Sequence, residues 1–463
     1  MTQPSKWYVP WDDALIRKYD INAPRYTSYP TAVQFTGLQA IEVQSHLDSQ
    51  RSNQSPLSLY VHIPFCQHVC FYCGCNKIAT KDRTRPDSYI DMLEREMVLH
   101  ARNFGHRPIT QLHLGGGTPT FLSLKQMSRL LDLLGIYFDW DPEVHAGEFS
   151  IELDPRETSD EMLCLLKRRG FNRISFGVQD FDEQTQIAIN RVQPFELVQQ
   201  KVDKARALGF KSISFDLICG LPHQSSESFA RTWAQTLQLS PDRISLYNYA
   251  HLPERFKPQR RIDPASVPTA DEKLAIMRDS IALLQQSGYV YIGMDHFAKP
   301  GDELTRALEQ GSLQRNFQGY STHAEVDMLA LGVSGISQID GVYLQNHREI
   351  EPYESFLDNM QLAIKRGIFL NEDDKIRQWA ILQLACQGRL SFTELSQRFG
   401  INAGEYFADE WQRLQTLVAD NLVKLAGDEV HVQPLGRLLL RPVLLTFDAY
   451  FNAEVAKRFS KVL

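Results

Sequence analysis

Nowhere does the chain reach the roughly 18 uninterrupted apolar residues that a membrane span needs. The nearest approach, Leu435 to Phe447, is broken by Gly436, Arg437, Arg441 and Pro442. The opening MTQPSKWYVPWDDALIRKYD has no basic start, apolar core and small-residue cleavage site of a secretory leader. A soluble, cytoplasmic protein with no membrane partner is expected. Positive charge is short as well: 49 Lys and Arg stand against 56 Asp and Glu, a net charge of −7, which argues against a nucleic-acid backbone as partner. No G-x4-G-K-[ST] phosphate loop and no Rossmann G-x-G-x-x-G occurs. No coiled-coil seam is visible either, so a monomer is expected. Cysteine is scarce and odd in number, seven, and Cys66, Cys70, Cys73 and Cys75 crowd into ten positions. That pattern excludes a regular disulfide framework and points to metal or redox chemistry.

What the chain does have is length and rhythm. Its 463 residues, 43% hydrophobic, allow about three domains or one barrel with appendages. Between about 57 and 250, short β-branched runs alternate with helical patterns, as in βα units around a parallel sheet. Six strands are predicted: Ser58 to Phe65, Ile109 to Leu114, Glu148 to Asp154, Arg173 to Gln179, Ser212 to Ile218 and Arg243 to Tyr249. Parallel strands covered by helices on both sides read as continuous apolar runs, but these alternate. Phe149, Ile151 and Leu153 are interleaved with Ser150, Glu152 and Asp154; Ile213, Phe215 and Leu217 with Ser212, Ser214 and Asp216. Successive side chains point to opposite faces, so one face is apolar and the other polar, unlike the filled interior of a closed eight-stranded barrel. The prediction is an α/β fold, a partial (β/α) barrel over 57–350 whose lumen is open enough to hold water or a polar ligand. An N-terminal arm, 1–56, precedes it. A mostly helical domain, 351–463, follows, whose helix-helix-hairpin order is winged-helix-like but too acidic for the usual nucleic-acid role.

The cysteine cluster follows directly on the first strand, where barrel enzymes carry their active-site loops. Positions 66, 70 and 73 are spaced to line one helix face, yet Pro64 and Gly74 disfavour a helix there. Four thiolates could hold zinc, although the Cys73-Gly74-Cys75 step is short for a closed knuckle. An iron-sulfur cluster is the third reading; if only the first three cysteines bound a cubane, one iron would stay open for catalysis. Gly115-Gly116-Gly117-Thr118 follows the second strand, and consecutive glycines permit close backbone approach. Glu152, Gln179 and Asp216 lie on the polar face near strand C-termini, where polar ligands are held. Gly332-Val333-Ser334-Gly335-Ile336 is a later glycine loop.

The C-x3-C-x2-C spacing after strand one resembles the radical S-adenosylmethionine enzymes. Closer still, Pro24-Arg25-Tyr26-Thr27-Ser28-Tyr29-Pro30-Thr31, Tyr60-Val61-His62-Ile63-Pro64-Phe65-Cys66, Cys75-Asn76 and Asn248-Tyr249-Ala250-His251-Leu252-Pro253 resemble the oxygen-independent coproporphyrinogen III oxidase family, from the arm to the C-terminal module. The resemblance implies a six-unit partial barrel and a [4Fe-4S] cluster on Cys66, Cys70 and Cys73, with Cys75 a nearby thiol outside the ligand set. It implies two S-adenosylmethionine molecules per chain. Tyr60, Gly116, Glu152 and Ile336 would surround the cluster-bound one; Tyr72, Gly117, Thr118, Gln179, Arg191, Asp216 and Ala250 the other.

The implied reaction is oxidative decarboxylation of two propionates of coproporphyrinogen III to vinyl groups, giving protoporphyrinogen IX in heme biosynthesis, through a 5'-deoxyadenosyl radical. A flavodoxin-type electron donor would serve it. Arg25, Lys257, Arg260 and Arg261 are candidate propionate partners, since Arg to carboxylate bonds are strong, and Tyr26 and Tyr29 could cover the macrocycle. A heme-trafficking relative without oxidase activity is the main rival, but such relatives typically lack the fourth cysteine and the PRYTSYPT arm present here. A heme-modifying radical enzyme and a zinc-stabilised binding protein complete the alternatives.

Overall fold

The computed structural model describes residues 7–323, 326–457 and 459. The chain divides into two compact units, one of residues 36–276 and 326–368, the other of 1–35, 277–325 and 369–463.

The first unit holds the predicted βα repeat. Its strands β1 (Leu57–Ile63), β2 (Ile109–Gly116), β3 (Glu148–Leu153), β4 (Arg173–Gln179), β5 (Ser212–Cys219) and β6 (Arg243–Asn248) lie side by side in sequence order. All five neighbouring pairs are parallel. The sheet extends past β1 through four later strands, β7 (Asp327–Leu331), β8 (Ile336–Ile339), β9 (Val342–Asn346) and β10 (Ile364–Phe369). β7 runs parallel to β1, while β8 and β9 turn back antiparallel. The strand order has two ends, so the barrel is open.

Alternation along the strands becomes two environments. Phe149, Ile151, Leu153, Ile213, Phe215 and Leu217 are buried, whereas Ser150, Glu152, Ser214 and Asp216 remain partly accessible on the other face. The connecting helices supply the cover for the apolar face and are individually well specified. Helix Leu124–Tyr137 begins in a Ser123/Gln126 capping box and helix Asp160–Arg168 under a Ser159 cap. Helix Arg85–Phe104 starts with Pro86, whose missing N–H costs nothing in the first turn.

A buried polar network ties that last helix to the late glycine loop. Glu96 accepts the Gly332 N–H at 2.7 Å, the Tyr353 hydroxyl at 2.7 Å and the Asn346 amide at 2.6 Å. Tyr89 donates to the His62 carbonyl at 2.9 Å and accepts from Val333 N–H at 3.0 Å. Burial pushes Glu96 up to about 7. Gly332 sits at φ 95°, and a Cβ there would lie 2.4 Å from the Tyr89 hydroxyl, so only glycine fits. The loop leading to Ile336 is thereby held beside β1.

The second unit contains the hairpin Val290–Gly293/His296–Ala298, a smaller hairpin Gln314–Asn316/Gly319–Ser321, and the C-terminal helices Glu372–Leu382, Phe392–Phe399 and Ala408–Ala419. Strand Arg389–Ser391 pairs with the hairpin Val423–Ala426/Glu429–Val432. The expected helix-helix-hairpin order is present. No helix among the described residues is long and apolar enough to cross a membrane.

Candidate active site

The site opens at the carboxyl ends of β1 to β6, as a cavity of about 340 Å³. Cys66, Cys70, Cys73 and Cys75 all line it. After Pro64 the chain is irregular and does not form the helix that would have spaced the cysteines along one face; Phe65–Cys66 pairs instead with Ile78–Ala79, closing the cysteine loop on itself. Cys66 and Cys70 are buried, Cys73 is half-buried and Cys75 exposed. Burial pushes the Cys66 thiol up to about 12, with Thr118 as its hydrogen-bond partner.

The triple glycine is stitched to this loop. Gly117 N–H donates to the Ile63 carbonyl and Thr118 N–H to the Phe65 carbonyl, each at 2.8 Å. A Cβ on Gly117 would lie 2.7 to 2.8 Å from the Pro64 and Phe65 carbonyl oxygens. Gly116, at φ 114°, points its missing Cβ at the His62 ring. These glycines are required by the packing of one backbone on another, which in turn shapes the ligand face of the loop.

On the polar face, Glu152 accepts the Gly116 N–H at 3.1 Å and faces His113 at 3.4 Å. Burial alone would raise Glu152, but the His113 hydrogen bond and the Gly116 N–H hold it below the usual carboxylate range. Tyr60 stacks on His113 with ring centroids 5.8 Å apart. Asp216 bonds Ser175 at 3.2 Å; burial, reinforced by the charge of Glu152, pushes it up to about 6. Arg191 bridges Asp154 at 2.8 Å and the Cys70 sulfur at 3.4 Å, and Arg156 reaches the same sulfur at 3.8 Å while pairing with Asp154 at 2.7 Å. Against the cost of burial, these two cations hold Asp154 down at about 2.

Of the residues expected around the cofactors, Tyr72, Gly116, Gly117, Thr118, Glu152, Gln179, Arg191 and Asp216 line the cavity together with the cysteines. Gln179 takes a positive φ of 68° at the end of β4. Tyr60, Ala250 and Ile336 are partly accessible but do not line it. Lys257, Arg260 and Arg261 stand exposed on the single turn Lys257–Arg261, with Arg260 donating to the Pro253 carbonyl and Arg261 lying over the Phe71 ring at 5.3 Å. Arg25 belongs to the other unit, ion-paired with Asp295. His62, His113, Asp154 and Arg156 were not foreseen. For three of them the signal was available: His62 and His113 share strand parity with Tyr60 and Gln111 on the polar face, and Asp154 directly follows β3.

The donor set fits an iron-sulfur cluster. Four thiols line the cavity, and two guanidinium groups are aimed at the Cys70 sulfur, where thiolate charge would reside. Among the described residues no three His, Cys, Asp or Glu side chains converge as ligands of a single metal ion.

An open parallel barrel with a cysteine cluster after its first strand, and a glycine loop hydrogen-bonded to the segment that leads into it, defines a radical S-adenosylmethionine enzyme, and the Radical SAM superfamily model matches residues 60–233. The HemN C-terminal domain model matches 370–439. Over nearly its full length the chain is similar to the oxygen-independent coproporphyrinogen III oxidases of Pseudomonas aeruginosa, 47% identical across 98% of this chain and 99% of that protein, and of Escherichia coli K12, 45% identical across 98% and 99%. The solved structure of Escherichia coli coproporphyrinogen III oxidase (HemN), described as a radical SAM enzyme, superposes with a TM-score of 0.90 at 43% identity, covering 96% of this chain and all of that one. The chain belongs to the oxygen-independent coproporphyrinogen III oxidase family.

Proposed function

We propose that this enzyme converts two propionate side chains of coproporphyrinogen III to vinyl groups, yielding protoporphyrinogen IX in oxygen-independent heme biosynthesis. The observation that carries the reading is the cavity in which Cys66, Cys70 and Cys73 meet the glycine loop and the carboxylates of β3 and β5, in a chain similar from end to end to oxidases of that name. When bound, the cluster and S-adenosylmethionine supply an electron and a 5'-deoxyadenosyl radical able to take hydrogen from a propionate carbon.

The chain's own residues bind and orient. Cys66, Cys70 and Cys73 would hold the cluster, leaving one iron without a protein ligand. Glu152, kept ionised by His113, and the Gly116 backbone would face the cluster-bound S-adenosylmethionine, together with Tyr60 and Ile336. Asp216, Gln179, Arg191, Tyr72, Gly117, Thr118 and Ala250 would hold a second molecule. Carboxylates suit ribose hydroxyls and ammonium groups, and Arg191 suits a carboxylate. The rim cations Lys257, Arg260 and Arg261 would attract propionates, a role favoured by their exposure beside the cysteine loop. A flavodoxin-type donor, a monomeric state and a cytoplasmic setting complete the proposal.

Reconstitution with iron and sulfide under anaerobic conditions, followed by reductant, S-adenosylmethionine and coproporphyrinogen III, should yield 5'-deoxyadenosine and the doubly decarboxylated tetrapyrrole together. Both should vanish in Cys70→Ser. Cleavage of S-adenosylmethionine without consumption of coproporphyrinogen would overturn the oxidase reading.

A further inference from the structure

Glu96, inside helix Arg85–Phe104, is a fully buried carboxylate that no cation faces among the described residues. Its three partners all donate: Gly332 N–H and the Tyr353 hydroxyl to one oxygen, the Asn346 amide to the other. Two of these donors cannot reverse. A backbone N–H has nothing to accept with, and the Asn346 nitrogen also donates to the Gly332 carbonyl at 3.0 Å. Only the Tyr353 hydroxyl can turn from donor to acceptor. The arrangement is therefore complete for the ionised carboxylate alone. A proton on Glu96 would reverse Tyr353 and leave Gly332 and Asn346 a neutral acceptor, which bonds roughly half as strongly as a charged one.

Two loops hang on these bonds. Gly332 opens the late glycine loop, whose Val333 N–H donates to the Tyr89 hydroxyl and whose Ser334 N–H donates to the His347 carbonyl at 2.7 Å. Asn346 ends β9, and two residues on, the Arg348 carbonyl accepts the Asn76 side-chain amide at 2.9 Å. Asn76 directly follows Cys75, and its own carbonyl meets the His62 ring at 2.9 Å. The His62 carbonyl accepts from Tyr89, two turns before Glu96 on the same helix. The exit of the cysteine loop is thus gripped on one side through Asn346 and on the other through Tyr89. Gly116, which lines the cavity, turns its missing Cβ to the same His62 ring.

We propose that Glu96 is a positioning residue: its ionised carboxylate fixes the late glycine loop and the exit of the cysteine loop relative to each other, and a proton on it loosens that fit. The two loops flank the space assigned above to the cluster-bound S-adenosylmethionine, so the effect on cofactor affinity rests on that reading. Burial, opposed by the three hydrogen bonds, pushes Glu96 up to about 7. The other titratable groups of the network hold one state near that pH. Burial pushes Tyr353 and Tyr89 up, so both stay hydroxyls. It pushes His100, one turn beyond Glu96, down to about 4, and pushes His62 and His347 down as well, so these rings stay neutral. Arg95, the neighbour of Glu96 in the helix, pairs with Asp358 of helix Ile350–Asp358, and both are well exposed. The glycine loop and β9 present Glu96 with backbone N–H groups and an amide.

Hydrogen exchange of the peptide spanning 330–338, followed by mass spectrometry in the full-length protein without cofactors, reads the loop directly. Wild type and Glu96→Gln are compared at each pH, so the intrinsic pH dependence of exchange cancels. Glu96→Gln, neutral at every pH, should exchange about fivefold or more faster than wild type at about pH 8, the loss expected when a charge-assisted hydrogen bond becomes a neutral one. At about pH 6 the two should converge. Tyr353→Phe, which removes one donor to the carboxylate, should raise the pH at which the loop loosens, and it carries the test if Glu96→Gln does not fold. The affinity of the reconstituted protein for S-adenosylmethionine, measured by anaerobic equilibrium dialysis, should fall more steeply from about pH 8 to about pH 6 in wild type than in Glu96→Gln. Equal exchange at about pH 8 would overturn the proposal. So would a difference that stays constant with pH, which is what a merely structural side chain gives. Faster exchange in Glu96→Gln at about pH 8, with S-adenosylmethionine bound equally well, would leave the positioning standing and sink the placement of the cofactor beside the late glycine loop.

Discussion

The guanidinium of Arg191 lies 3.4 Å from the sulfur of Cys70. One cation thus touches both a proposed cluster ligand and, at 2.8 Å, Asp154, the residue that follows β3. Hydrogen bonds to cluster sulfurs set reduction potential. Arg191→Gln should therefore make the reconstituted cluster harder to reduce, seen as a more negative midpoint in a redox titration followed by EPR. Activity should fall roughly 10- to 100-fold, as for other losses of outer-shell partners. An unchanged midpoint would show that the contact does not persist around the cluster.

Gly117→Ala tests the seam between the glycine and cysteine loops. Its methyl would press on the carbonyl oxygens of Pro64 and Phe65 at 2.7 to 2.8 Å, and backbone cannot yield as a side chain can. The barrel should remain folded by circular dichroism, while iron bound per chain after reconstitution drops well below that of wild type. Full iron loading would refute the seam as the determinant of cysteine placement.

Cys75→Ser separates the fourth thiol from the other three. Cys75 is exposed and Cys66 and Cys70 are buried, so the variant should retain about four iron and four sulfide per chain, whereas serine at 66, 70 or 73 should not. Loss of the cluster in Cys75→Ser alone would require a four-thiol ligand set.

Asp216 predicts a pH dependence. Its folded pKa of about 6 lies above the value of about 3.9 in an unfolded chain. The folded state therefore retains a proton that the unfolded chain releases, and stability declines as pH rises between about 4 and 6. Above that window the ionised group costs at most about 3 kcal/mol. Asp216→Asn in the ligand-free protein should melt higher than wild type at pH 7.5 and equally at about pH 4. A constant difference across that range would assign the effect to packing instead.

Much of the first unit was legible because strands and helices obey local rules. Arg173 to Gln179 emerges with the predicted limits, and the other five barrel strands differ by one or two residues at their ends. The polar parity of Glu152 and Asp216 foretold a hydrated lumen, and both line the cavity. β7 to β10 were not foreseen. They are short and joined by tight turns such as that at Ser334-Gly335, and read singly they resemble loops. Their strand character comes from docking beside β1 and from the Glu96 network, contacts separated by more than two hundred residues.

By itself the sequence determined the periodicities, the apolar and polar faces of each strand, and the cysteine spacing that marks the family, since each depends on neighbours within a few residues. Only the tertiary structure decided why the glycines are glycines, which cations reach the Cys70 sulfur, and that Arg25 meets Asp295 while Lys257, Arg260 and Arg261 remain at the surface. Those outcomes depend on which backbones touch and on how much water is excluded around each charge, quantities set by the whole fold.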